Sequence, residues 1–203
     1  TVAWARDRLE AQLFPVGLDT VWTVWLFDGD ASYRSHAKAL FDDEPDTPYG
    51  YASGADHALV MNIGTGGGTL IHEMVHPYVA ANLEGCPAWI NEGLASLFEQ
   101  SSERDGRIVG LTNWRLEGLQ AALTRGQVPS FQALAALSDQ AFYADETGTH
   151  YAESRYLMYW MQEHGTLESF WKDVVLHHDV DPTGVAALER ALGGDLEAFR
   201  PTW

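Results

Sequence analysis

Apolar and polar positions recur along this chain with two different periods. Residues 1–14 (TVAWARDRLEAQLF) space their apolar side chains as an amphipathic helix does. TVWTVWLF at 20–27 is instead a β-branched and aromatic run between turn residues, which predicts a buried strand. A helix is predicted over 31–41, a loop over the Pro-, Gly- and Asp-containing residues 42–56, and a second strand over HALVMNIG at 57–64. GTGGG at 64–68 predicts a tight strand-to-helix turn, with Thr69 as N-cap of the helix that follows. LEGCP at 83–87 breaks that helix, and AWINEGLASLFEQ at 88–100 forms another behind Pro87. Polar turns at 101–110 lead to helices near 113–124 and 130–137, an irregular loop at 138–148, and helices over 149–164, 166–178 and about 181–192. Two strands and some eight helices predict an α+β fold, mostly helical with a small N-terminal β-sheet. No repeat, linker or low-complexity segment divides it, so residues 1–203 are expected to form a single domain.

Composition narrows the partners. Twelve Lys+Arg against 29 Asp+Glu give a net charge of −17, a field that repels phosphate backbones and anionic membrane surfaces. Nucleic acid is therefore not expected as a partner. No apolar run approaches the roughly 18 residues of a membrane span. Cys86 is the only cysteine, which excludes an intrachain disulfide but does not decide the compartment. The chain begins at Thr1 without Met, so either a leader has been removed or an end has been trimmed. The reading leans to an exported protein, secreted or periplasmic.

The chemistry concentrates in His72-Glu73-Met74-Val75-His76, an HExxH. On a helix, residues four apart share a face, so both imidazoles can reach one metal from a single element. Glu73 sits one step round, where its carboxylate can act as general base on a water that the metal activates. The flanking Leu70, Ile71, Val75, Tyr78 and Val79 predict a buried helix, and buried His and Glu side chains need partners. Trp89-Ile90-Asn91-Glu92-Gly93-Leu94-Ala95 offers the third ligand: fifteen residues separate Glu92 from His76, and a helical hairpin through 83–87 would bring the two faces together. Two imidazoles and a carboxylate suit Zn²⁺ with one position left open, one ion per chain. Pro77, directly after His76, predicts a kink or an early helix end.

HExxH followed by W-x-N-E-G-x-A resembles the gluzincin metallopeptidases, and in particular the small bacterial peptidase MA-like domains. Their pattern is similar to a strand, a Gly-rich turn, HE-x-x-H, W-x-x-E-G-x-A and a later helix opening with Tyr. The resemblance covers roughly residues 55–165 and, more weakly, the helical tail. It implies a zincin-like fold, zinc held by His72, His76 and Glu92, hydrolysis of peptide or protein substrates with Glu73 as base, and a catalytic Tyr. Tyr151, opening the helix YAESRYLMYWMQEHG, holds the position of that Tyr; the other readings are an interior aromatic, or His150 in the same role. Metzincins are excluded, because Val79 and Asn82 stand where they need Gly and His. The spacing from His76 to Glu92 is shorter than in the large aminopeptidases. Their G-x-M-E-N motif, which grips a free amino terminus, is also absent; the nearest text is Val60-Met61-Asn62.

Three function classes follow: a zinc peptidase, a zinc-binding but catalytically inactive peptidase-like module, and a hydrolase of non-peptide amides. The intact Glu73 favours the first. The strand at 57–64 reads either as a substrate-binding sheet edge or as an ordinary core strand. His36, His57, His164, His177 and His178 read as surface histidines. Arg155 reads as one half of a structural ion pair or as a substrate-carboxylate ligand.

Overall fold

The structure, a computed structural model, describes residues 2–203. Helix α1 (Val2–Gln12) buries Ala5 and Leu9, and the chain then enters strand β1 (Thr23–Phe27), helix α2 (Asp30–Phe41) and strands β2 (Gly50–Ser53) and β3 (Ala58–Asn62). The three strands form one sheet in the order β1-β3-β2. β1 runs parallel to β3, from Thr23↔Ala58 to Phe27↔Asn62; β2 runs antiparallel to it, from Gly50↔Met61 to Ser53↔Ala58.

Both faces of this sheet are covered. Ala58 and Val60 pack beneath α2 with Phe27, Tyr33 and Ala37, while Leu59 and Met61 face the main core. All five β3 residues are therefore buried, as the continuous apolar run ALVM requires of a strand with helices on both sides. β3 is the central strand, which removes the reading of 57–64 as a sheet edge. The edges are β1 and β2. β1 is less buried than its composition predicts, with Trp25 and Leu26 exposed, because an edge strand at this position is only partly covered by α2. β2 falls inside the segment expected to be a loop. It presses so closely on β3 that a Cβ at Gly50 would sit 2.7 Å from Met61 Cε and 2.9 Å from the Val60 carbonyl oxygen.

After a 3-10 turn (Ile63–Thr65) the chain forms α3 (Gly68–Asn82) and α4 (Ala88–Leu97). α3 starts one residue before Thr69, without a side-chain cap. Its first residue lies against the chain just beyond α4: a Cβ at Gly68 would come within 2.2 Å of the Glu99 carbonyl oxygen. Pro77 does not end the helix, which runs on to Asn82. Having no N–H, Pro77 leaves the Glu73 carbonyl without its ordinary helical bond. The later turn is secured instead by Leu83 N–H donating to the Val79 carbonyl (2.8 Å), and by Asn82, whose amide donates to Tyr78 and Val16 carbonyls.

Residues 101–110 are a hairpin, β4 (Ser101–Arg104) and β5 (Arg107–Gly110), rather than turns alone. Asp105 and Gly106 both take positive φ, the Asp-Gly two-residue turn that suits a twisted hairpin. Seven helices complete the described chain: α5 (Arg115–Thr124), α6 (Phe131–Ala135), α7 (Asp139–Tyr143), α8 (Thr149–Glu163), α9 (Leu167–His177), α10 (Val185–Leu192) and α11 (Leu196–Phe199). The fold is thus α+β and mostly helical. Among the described residues no helix is long and apolar enough to cross a membrane.

α4 packs along α8 at Gly93, where a Cβ would meet Met158 and the Ser154 carbonyl at 3.1 Å. Arg155, on that same buried face, is neither exposed to substrate nor ion-paired among the described residues. Its guanidinium donates to the carbonyls of Ser96, Leu97 and Leu111, tying the C-terminal end of α4 to the residue that follows β5.

Candidate metal centre

α3 and α4 form the expected hairpin, and it brings His72, His76 and Glu92 together. One ligand atom from each lies within 4.8 Å of the others. His72 Nε2 is 3.2 Å and His76 Nε2 is 3.9 Å from the same Glu92 oxygen, Oε2. Donors about 2.0–2.2 Å from a tetrahedral ion stand about 3.3–3.5 Å apart, so these separations fit a divalent cation with little movement. The approach of His72 to Glu92 has ion-pair distance without hydrogen-bond alignment, and Glu92 Oε2 is buried with no hydrogen-bond partner among the described residues. A buried carboxylate oxygen left bare between two imidazoles fits a metal ligand.

Surrounding residues orient both imidazoles. Asn91 Oδ1 accepts from His76 Nδ1 (2.9 Å), so the proton sits on Nδ1 and the Nε2 lone pair is free. His72 Nδ1 faces Glu99 Oε1 at 3.2 Å. Glu99 is in turn gripped by Arg115, through Nε to Oε2 (2.9 Å) and Nη2 to Oε1 (2.7 Å), and by Asn113 Nδ2 (3.0 Å). The remaining Glu92 oxygen, Oε1, accepts the Tyr143 hydroxyl at 2.8 Å. Asn91, Glu99, Arg115 and Tyr143 have no role assigned from sequence alone. Glu99 carries one retrospective signal: it lies seven residues, two helical turns, beyond Glu92. Ser138 is the signal for the helix that carries Tyr143, since its side chain caps α7 by accepting from Ala141 N–H.

The electrostatics are those of a site short of positive charge. Burial pushes the His72 imidazole down, but Glu92 and Glu99, with Glu73 behind them, outweigh it and hold its pKa at about 10. Burial likewise opposes ionisation of Glu99, yet His72 and Arg115 bring its carboxyl down to about 2. Glu92 is also lowered: burial acts against it, and His72, His76 and Tyr143 prevail. Glu73 is raised, because burial outweighs the pull of His72 and His76. A bound cation would supply the charge that three clustered carboxylates lack.

Glu73, 8% exposed, enters the same space, with Oε2 3.9 Å from His76 Nε2; its carboxylate also faces the Ala52 N–H of β2. Tyr151 stands in the first turn of α8, half-buried, its ring centroid 6.3 Å from that of Tyr143 and 5.2 Å from Arg115 Cζ. Burial raises its pKa and Glu92 adds to the rise, so the phenol is protonated at neutral pH. Its hydroxyl makes no hydrogen bond to any described residue. His150 is engaged elsewhere: Nδ1 donates to the Phe142 carbonyl (3.1 Å) and braces α7. His36, His57, His164 and His177 are exposed, outside the centre.

Neither the curated proteins nor the solved structures offer a match to this chain. A family described as "Protein of unknown function (DUF1570)" matches residues 67–174, from the glycine before α3 into α9. That span contains His72, Glu73, His76, Glu92, Glu99, Arg115, Tyr143 and Tyr151, and covers more than half of the 203 residues, so the chain belongs to the DUF1570 family.

Proposed function

We propose that this protein is a zinc-dependent peptidase of zincin-like architecture, with His72, His76 and Glu92 as ligands and Glu73 as general base. One observation carries the reading: Glu73 is buried beside the three ligand atoms, yet it is not needed as a ligand. A divalent cation held there would act as a Lewis acid, polarising a carbonyl and acidifying a water. Glu73 is placed to take a proton from the attacking water and return it to the leaving amine, so that one peptide bond and one water become a carboxylate and an amine. Tyr151 has an uncommitted, protonated hydroxyl on the α8 side of the centre, suited to hydrogen-bond the carbonyl oxygen as charge gathers on it.

β2 supports a peptide substrate. The Asn62 N–H donates to the Tyr49 carbonyl (2.9 Å), and the alternation of an antiparallel ladder then turns the main-chain groups of Gly50 and Ala52 outward. An extended peptide could add to this edge beside Glu73. Together with the missing amino-terminus motif, this favours cleavage within a chain over cleavage at a free amino terminus. The second reading, a metal-binding module without turnover, shares every ligand and differs only in chemistry.

The test pairs metal analysis of the purified protein with cleavage of a peptide library whose amino termini are acetylated. The proposal expects one zinc per chain, loss of most of it in His72→Ala and Glu92→Ala, and cleavage that chelation abolishes. Stoichiometric zinc without cleavage of any peptide would leave the binding module.

A further inference from the structure

The fold treats the two oxygens of Glu92 differently. Oε1 accepts the Tyr143 hydroxyl at 2.8 Å. Oε2 is buried without a hydrogen-bond partner and is the oxygen that faces both histidines. Tyr143 is half-exposed, 51%, so its ring is not there to fill the core. Its backbone is nevertheless fixed. Ser138 caps the start of α7, the fully buried Phe142 anchors its end, and His150 donates to the Phe142 carbonyl. The rings of Phe142 and Tyr151 flank it, with centroids at 5.5 and 6.3 Å. A half-exposed side chain beside the three candidate ligands is thus held with its one polar atom turned inward onto a carboxylate.

We propose that Tyr143 is a positioning residue that ties down one oxygen of Glu92, so that the carboxylate offers a metal Oε2 alone. The inference rests on the metal-site reading above. A carboxylate free to rotate can chelate with both oxygens and fill a coordination position that a hydrolytic site must keep open. A single phenolic proton spent on Oε1 opposes that rotation. It is also unavailable for a substrate, which separates the role of Tyr143 from that of Tyr151. Outer partners of metal ligands characteristically contribute about 10–100-fold to metal affinity.

The experiment compares wild type with Tyr143→Phe, which keeps the ring packing and removes only the hydroxyl. Zn²⁺ affinity is measured by competition with a chelator, coordination by the visible spectrum of the Co²⁺-loaded protein, and fold by the melting of the metal-free protein. The expected result is a metal-free protein that still melts cooperatively, at a somewhat lower temperature for the lost hydrogen bond to a buried carboxylate, about 10–100-fold weaker Zn²⁺ binding, and a weaker Co²⁺ absorption, the mark of a higher coordination number. A Tyr143→Phe protein with the wild-type Co²⁺ spectrum overturns the inference while leaving the metal site standing. A wild type that takes up neither Zn²⁺ nor Co²⁺ overturns the metal-site reading, and this inference with it.

Discussion

Glu99 stands between His72 and Arg115: its Oε1 is 3.2 Å from His72 Nδ1 and 2.7 Å from Arg115 Nη2. The carboxylate thus orients an imidazole of the candidate metal centre on one side and neutralises a largely buried guanidinium on the other. Glu99→Gln keeps the shape and removes the charge, and it is expected to weaken Zn²⁺ binding about 10–100-fold. Arg115→Met leaves Glu99 charged and poorly solvated, and should cost the metal-free protein about 3 kcal/mol, the low end of the range for a broken buried pair. Chemical denaturation of both variants and of the double variant checks this. If the two losses simply add, the pair is not coupled and the assignment fails.

Glu73 carries the sharpest separation between binding and chemistry. It is outside the ligand group, so Glu73→Gln should retain full zinc. Activity should fall by several orders of magnitude, more than the ~10²–10⁴ of a single proton transfer, because in the proposed mechanism the same carboxylate both takes and returns a proton. Metal content and peptide turnover measured on one preparation decide the matter. An active Glu73→Gln enzyme ends the general-base mechanism.

Away from the centre, Glu153 on α8 gives a prediction about stability and pH. It is 0% exposed, and among the described residues both its oxygens lack hydrogen bonds and its one charged neighbour is Arg200 Nη1 at 3.6 Å. Burial raises its pKa to about 8, with Arg200 pulling the other way. An unfolded Glu titrates near 4.3, so between that pH and about 8 the folded state binds a proton that the unfolded state does not. Stability should therefore fall as pH rises through this window, at up to about 1.4 kcal/mol per pH unit, and level off above it. Glu153→Gln, neutral throughout, should differ little from wild type at pH 5 and be the more stable protein at pH 8. Equal pH dependence in the two proteins would exclude Glu153 as its source.

The parts of the site that lie on long, regular elements were legible in the sequence. His72, Glu73 and His76 share α3, where helical spacing puts both imidazoles on one side, and Glu92 was reached through the helix break at 83–87 and its apolar neighbours on α4. What the spacing could not reach lies on short elements. α7 has five residues, too few for a period to register, and it carries Tyr143. β2 is four residues, opening with a glycine whose missing side chain, not its propensity, admits it to the sheet. Arg115 and Glu99 meet only because the β4–β5 hairpin returns the chain to the end of α4, and that hairpin rests on an Asp-Gly turn read as a simple loop. The central place of β3 was written in its unbroken apolar run. Pro77 did not end the helix: a single lost backbone bond did not outweigh the burial of the turns on either side of it.

The half-buried Tyr151 lies in the first turn of α8, where residues 144–148 return the chain beside Tyr143 and Arg115. As water adds to a peptide carbonyl, negative charge grows on the oxygen, and a donor opposite Glu73 lowers the barrier only if it is protonated and already in place. Burial and the nearby Glu92 keep the Tyr151 phenol protonated, while Arg115 beneath its ring fixes the ring's position. Tyr143 cannot substitute, its proton being committed to Glu92. His150, with Nδ1 on the Phe142 carbonyl, serves to hold α7. Tyr151→Phe should therefore keep fold and zinc, lower kcat by about 10²–10³, and leave KM nearly unchanged, since the bond strengthens mainly in the transition state. His150→Ala should act differently, loosening α7 and with it metal affinity more than kcat at saturating zinc. Steady-state kinetics of both variants with one peptide, at saturating zinc, separate the roles: a normal kcat in Tyr151→Phe beside a collapsed kcat in His150→Ala would transfer the oxyanion role to His150.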